Sequence, residues 1–150
     1  MTIIGPASAV AGRWQLMEWR TVDDATGATL GHPFGEGASG GLVYTPAGWM
    51  HGQLSAQRRS LMTTSDPVGG SESERAAAYS GYVAYWGRYQ IDHDRIVHHV
   101  ESSLFPGWVG GTQIRYFTLV DDLLSLRTPP IEVAGEVLIN ELRWQRQESW

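Results

Sequence analysis

The residues with the richest chemistry lie between Ile96 and Phe117. His98 and His99 are followed by Glu101 and a Pro106-Gly107-Trp108 corner, and Gln113 and Arg115 come just beyond it. A histidine can take or give a proton near neutral pH. An arginine can clamp a carboxylate or stabilise an enolate oxygen as charge develops. All 11 basic residues are Arg, and there is no Cys. Thiolate nucleophiles and lysine Schiff bases are therefore excluded, leaving His, Asp, Glu, Tyr, Ser or Arg to carry any catalysis.

Other constellations fare worse. His99 and Glu101 are two apart, so they share one strand face and could be paired metal ligands. A third ligand would have to come from His51 or His93, without convincing spacing, and no metal is expected. Gly37-Ala-Ser39-Gly-Gly41 spells Gly-x-Ser-x-Gly. It leads into a strand, whereas a nucleophile elbow needs a strand before it and a helix after it. No Gly-rich loop opens a helix, so no cofactor is expected.

Positioning these side chains falls to strands. Alternation and turn residues predict eight: Arg13 to Val22, Gly41 to Pro46, Gly48 to Ser55, Tyr85 to Ile91, Arg95 to Ser103, Thr112 to Val120, Leu123 to Thr128 and Val137 to Arg146. In the first, alternation fails unless a bulge falls near Met17. Ser71-Glu72-Ser73-Glu74 is a capping box opening one short helix through Tyr79, read as a lid or plug. Eight antiparallel strands in meander order can close into a ligand-sized barrel.

Register then decides what faces inward. Phe117 and Leu119 point in and take Gln113 and Arg115 with them. Ile96 and Val100 bracket His98, which leaves His99 and Glu101 outside. Val97 is apolar too, so the opposite register, with His99 inward, stays open. Tyr89 faces in with Ile91, and Asn140 with Leu138, Leu142 and Trp144. The expected cluster is His98, Arg115, Gln113, Tyr89 and Asn140, with Tyr44, Met50, Tyr82, Trp108 and Phe117 as further ligand contacts. His98 would serve as acid/base and Arg115 would polarise an oxygen. His99 and Glu101 are second-tier candidates. The bland alternative is a His98–Arg115 pair that merely closes one barrel end.

A net charge of −5 without a basic block argues against nucleic acid. No apolar run approaches a transmembrane helix, so no membrane partner is expected. Absent cysteines and an N-terminus without the positive start of a secretory signal fit a cytoplasmic protein. Residues 1–11 read as a loose lead-in and 12–150 as one domain. A homodimer is compatible with this composition.

Several stretches carry a family resemblance: Tyr44-Thr-Pro-Ala-Gly-Trp-Met, Ser73-Glu-Arg-Ala-Ala-Ala-Tyr with Gly81-Tyr82, His98-His-Val-Glu-Ser-Ser-Leu-Phe-Pro-Gly-Trp-Val-Gly, and Leu126-Arg-Thr-Pro-Pro. From about Gly12 to Arg146 the chain resembles the bacterial and fungal lipocalin-like domain family. Gly12-Arg13-Trp14 is similar to the lipocalin Gly-x-Trp opening, in which the Trp plugs the barrel floor. The resemblance implies an all-β fold, a single antiparallel eight-stranded calycin-type barrel with one short helix. It implies a setting in secondary metabolism but no single activity, and related folds include cofactor-free cyclases of polyketide-type substrates. Gly107 stands where the family pattern has Asn, and His51 after Met50 departs from it too.

Two functional expectations follow. In the first, the barrel binds a hydrophobic carbonyl-bearing small molecule and catalyses a cofactor-independent cyclisation, isomerisation or dehydration, as a lyase or isomerase. In the second, the same pocket belongs to a non-catalytic carrier. A third reading, an interaction module with a side-chain-filled barrel, requires that no cavity of about 300 Å³ or more exist.

Overall fold

The computed structural model describes residues 9–148. Its strands are β1 (Gly12–Asp23), β2 (Thr29–Gly31), β3 (Ser39–Tyr44), β4 (Trp49–Ser55), β5 (Tyr82–Asp92), β6 (Arg95–Ser103), β7 (Thr112–Val120), β8 (Leu123–Arg127), β9 (Ile131–Val133) and β10 (Glu136–Gln147). Eight of them form a ring in the order β1-β3-β4-β5-β6-β7-β8-β10, closed by antiparallel pairing of β1 with β10. Closure leaves no free edge in the ring. The three-residue β2 and β9 add to β1 and β10 outside it. Neither was expected from the sequence, because three residues carry too little alternation.

Two bulges set which side chains reach the lumen. In β1, Leu16 pairs with Trp144 and Glu18 with Arg143, so Met17 is the extra residue and lies exposed. The parity flip lets Trp14 and Leu16 face the core and still turns Trp19 inward. In β6, Gly87 of β5 pairs with Val100 and Trp86 with Ser102, so Glu101 is the extra residue. The backbones come so close there that a Cβ on Gly87 would lie 1.9 Å from the His99 carbonyl oxygen.

One end of the barrel is packed solid. Trp14, Tyr44, Met50, Ile96 and Leu124 are almost wholly buried there, together with Val10. The Trp14 indole donates to the Val10 carbonyl at 2.9 Å. Arg146 lies 4.3 Å above the Trp14 ring and donates to the Ala11 carbonyl at 2.6 Å. The end of the expected lead-in is thus fixed as barrel floor, while residues 1–8 lie outside the described residues.

The helix α1 (Glu72–Ser80) starts on the expected capping box: Ser71 Oγ accepts from the Glu74 amide at 3.1 Å, and Glu74 accepts in return from the Ser71 amide. It buries no residue and packs against β5, with Tyr79 and Ser80 beside a hollow that also takes in Val83 and Trp108. The expectation that it plugs the barrel therefore fails. A nine-residue helix that is mostly Glu, Ser, Arg and Ala has no apolar face to insert. Among the described residues no helix is long and apolar enough to cross a membrane.

Candidate functional site

Above the packed floor the barrel opens into a cavity of about 540 Å³, well inside the range that holds small organic ligands. A side-chain-filled barrel is therefore ruled out. The walls come from all eight ring strands: Trp19, Leu42, Gly52, Leu54, Leu126, Leu142 and Trp144 supply much of the apolar surface. Trp108 reaches the rim from the 3-10 turn at Pro106–Trp108, held edge-on against Tyr85 at 5.7 Å between ring centroids.

Polar side chains also line this space: Tyr85, His98, Gln113, Arg115 and Asn140, with Gln53 and Thr128. His98 is 2% exposed and lies where floor meets lumen. Its Nε2 is 2.7 Å from the Tyr44 hydroxyl, and its Nδ1 is 2.7 Å from the Tyr85 hydroxyl. Both ring nitrogens are thus committed. Burial, with smaller contributions from the nearby Arg115 and His99 charges, lowers the His98 pKa to about 3. The ring is neutral at pH 7. Burial likewise raises the phenol pKa values of Tyr44 and Tyr85, so both stay protonated.

The remaining polar groups are rich in donors. Arg115 donates to its neighbour's carbonyl, Ile114, at 2.8 Å and forms no ion pair among the described residues. Asn140 Oδ1 accepts from the Trp19 indole at 3.0 Å and from Thr21 at 3.2 Å. An indole N–H only donates, so the Asn140 oxygen must face it, and its amide N–H groups are left for the lumen side.

The other sequence candidates lie elsewhere. Tyr44 and Met50 are core residues beneath the cavity, 1% exposed each. Tyr89 is buried beside Tyr44 and donates to the Thr45 carbonyl, while Phe117 packs against the core. These four stand behind the wall and do not line the lumen. Their inward alternation was read correctly, but the floor fills that end of the barrel. Tyr82 lies outside the main cavity, in a shallower hollow with Trp108 and Phe105, and donates to Gln53. His99 and Glu101 are exposed on the outer surface, near Arg88. His51 stacks on Trp86 and His93 pairs with Asp92, and no group of three metal-ligating side chains forms among the described residues. Ser39 opens strand β3, with no helix following it.

Sequence reasoning missed Tyr85 and Trp19. Tyr85 opens the strand that alternation predicts, whereas the strand itself begins at Tyr82 and carries Tyr85 into the wall. Trp19 could have been found by carrying the Met17 bulge through to its consequence for parity.

Residues 11–147 match the family described as a lipocalin-like domain. In sequence, the chain is 32% identical over 88 residues to the 4′-hydroxy-3′-methoxypropiophenone carrier protein ppsC of Aspergillus oryzae, a match covering 53% of this chain and 79% of that protein. In structure, an uncharacterized protein from Bacteroides eggerthii aligns over 92% of this chain and 99% of its own, with 17% identity and a TM-score of 0.44. A REP1-NXSQ fatty acid transporter aligns over 95% and 99%, with 11% identity and a TM-score of 0.44.

Proposed function

This chain belongs to the lipocalin-like domain family, and on that premise we propose that it is a non-catalytic carrier of a small, largely aromatic molecule bearing oxygen acceptors. The observation that carries this reading is the state of His98. An acid/base needs a nitrogen that reaches the substrate, and both of its nitrogens are taken by tyrosine hydroxyls. A ring with a pKa near 3 is also a poor base at pH 7. The cavity keeps what a carrier requires: apolar walls, and a few donors from Tyr85, Arg115 and Asn140 to orient a ligand. The carrier function named for the Aspergillus oryzae relative supports the same reading and points to aryl ketones as its ligand class. A carrier that sequesters such a ketone fits a place in secondary metabolism.

The test is direct. Trp19, Trp108 and Trp144 line the cavity, so binding should change tryptophan fluorescence. Titration with 4′-hydroxy-3′-methoxypropiophenone should saturate at one equivalent, and chromatography after prolonged incubation should return the ketone unchanged. Conversion of this or another aryl ketone, lost in His98→Ala, would establish the cyclase or isomerase reading instead.

A further inference from the structure

The tyrosine–histidine–tyrosine array has a direction, and burial sets it. A neutral imidazole offers one N–H and one acceptor nitrogen, so one tyrosine must donate to the ring while the other accepts from it. Tyr44 is 1% exposed, and its hydroxyl has His98 Nε2 as its sole hydrogen-bond partner among the described residues. If Nε2 carried the proton, the Tyr44 O–H would have nowhere to donate, and a buried orphan donor bears the full cost of its lost hydration. If Tyr44 donates to Nε2, both the Tyr44 hydroxyl and His98 Nε2 are satisfied. The proton then sits on Nδ1, which donates to the Tyr85 oxygen at 2.7 Å.

Tyr85 is consequently left with a free O–H. It is a half-buried residue that lines the cavity, and it has no other hydrogen-bond partner among the described residues. A hydroxyl that accepts from one donor becomes a better donor itself, because chained hydrogen bonds polarise one another.

Resting on the carrier reading, we propose that Tyr85 is the residue that selects and orients the ligand: its hydroxyl, aimed by the Tyr44–His98 chain, donates to the carbonyl oxygen of an aryl ketone. His98 and Tyr44 are positioning residues that never touch the ligand. Arg115, cationic and without an ion-pair partner, lines the same space and favours electron-rich oxygen there. The array thus provides a reason for a buried histidine in a carrier: it turns one tyrosine into an obligate donor. A tyrosine free to rotate would accept as readily as donate.

Two measurements test this. On the wild-type protein, nitrogen-15 NMR of histidine should find His98 protonated on Nδ1 and bare on Nε2 at pH 7. In binding assays, 4′-hydroxy-3′-methoxypropiophenone should be compared with 2-methoxy-4-propylphenol, in which a methylene replaces the carbonyl. Wild type should prefer the ketone about five- to tenfold, the worth of one neutral hydrogen bond. Tyr85→Phe should erase that preference while holding the propylphenol within about twofold. An Nε2–H tautomer, or equal loss of both compounds in Tyr85→Phe, overturns the donor role and leaves the carrier reading standing. Binding of neither compound to wild type overturns the carrier reading, and the ligand role of Tyr85 with it. The NMR arm needs no variant, so it decides even if Tyr85→Phe fails to fold.

Discussion

His98 couples the site to stability through its proton. Its ordinary pKa is 6.5 and its folded value about 3, chiefly because burial penalises the charged ring. Below pH 6.5 the unfolded chain binds a proton that the folded chain refuses, so the stability due to this residue is complete above pH 6.5 and declines as the pH falls toward 3. The slope approaches about 1.4 kcal/mol per pH unit, which amounts to roughly 2 kcal/mol between pH 6.5 and 4.5. Asp23, Glu74 and Asp92 are held below their usual values by hydrogen bonds: from the Thr26 backbone, the Thr63 backbone and the His93 side chain, respectively. Their stability is lost as pH falls through the carboxylate range, from about 4.5 downward, and a comparison made at pH 5 and above leaves it nearly intact. Urea unfolding at pH 7 and pH 5 should therefore show wild type losing about 2 kcal/mol more than His98→Gln, which has no ring to titrate. Equal losses would mean that His98 charges in the folded state and is able to serve as an acid/base.

Strand register is decided by features of very unequal visibility. The bulge at Met17 was legible because apolar residues change parity within one strand: Trp14 and Leu16, then Trp19. The bulge at Glu101 was not, since Val97 and Val100 are both apolar and neither parity is forbidden. The capping box at Ser71 was readable from four residues. That α1 does not plug the barrel was not, because a buried and a surface helix can share one capping box. Gly87 gave no local sign of its role: a glycine in a strand can mark a bulge, a bend or nothing. Its position opposite the extra residue of β6 makes it indispensable. Gly87→Ala would drive a methyl into the His99 carbonyl, at 1.9 Å, and only parting β5 from β6 could relieve it. Because backbone cannot rotate away as a side chain can, destabilisation of at least about 3 kcal/mol is expected in chemical denaturation. The same two strands hold Tyr85 and His98, so ligand affinity should fall with it. A loss under 1 kcal/mol would show that the β5–β6 approach is looser than described.

On the scale of the whole molecule the barrel divides into a floor and a cup. Meander order and strand count were legible because each strand alternates and each turn is marked. The division was not, because whether an inward residue packs or lines depends on volumes summed across eight strands. That is why Tyr44, Met50, Tyr89 and Phe117 read as inward from the sequence, while it is Leu42, Leu54 and Trp144 that line the cavity. The same geometry says where the cup can be blocked without harming the floor. Gly52 lines the cavity, its backbone is extended, and a Cβ there would sit at ordinary contact, 3.6 Å from Leu42 and from Met50. Gly52→Phe therefore introduces a good strand former whose ring has one free direction, into the lumen. The variant should keep its far-ultraviolet circular dichroism and melt within a few degrees of wild type. Its affinity for aryl ketones should drop at least about tenfold, or 1.4 kcal/mol, since ring and ligand compete for one volume. A folded variant that binds as wild type does would remove the ligand from this cavity and move it to the hollow at Tyr82, Phe105 and Trp108, whose lining Gly52 does not enter.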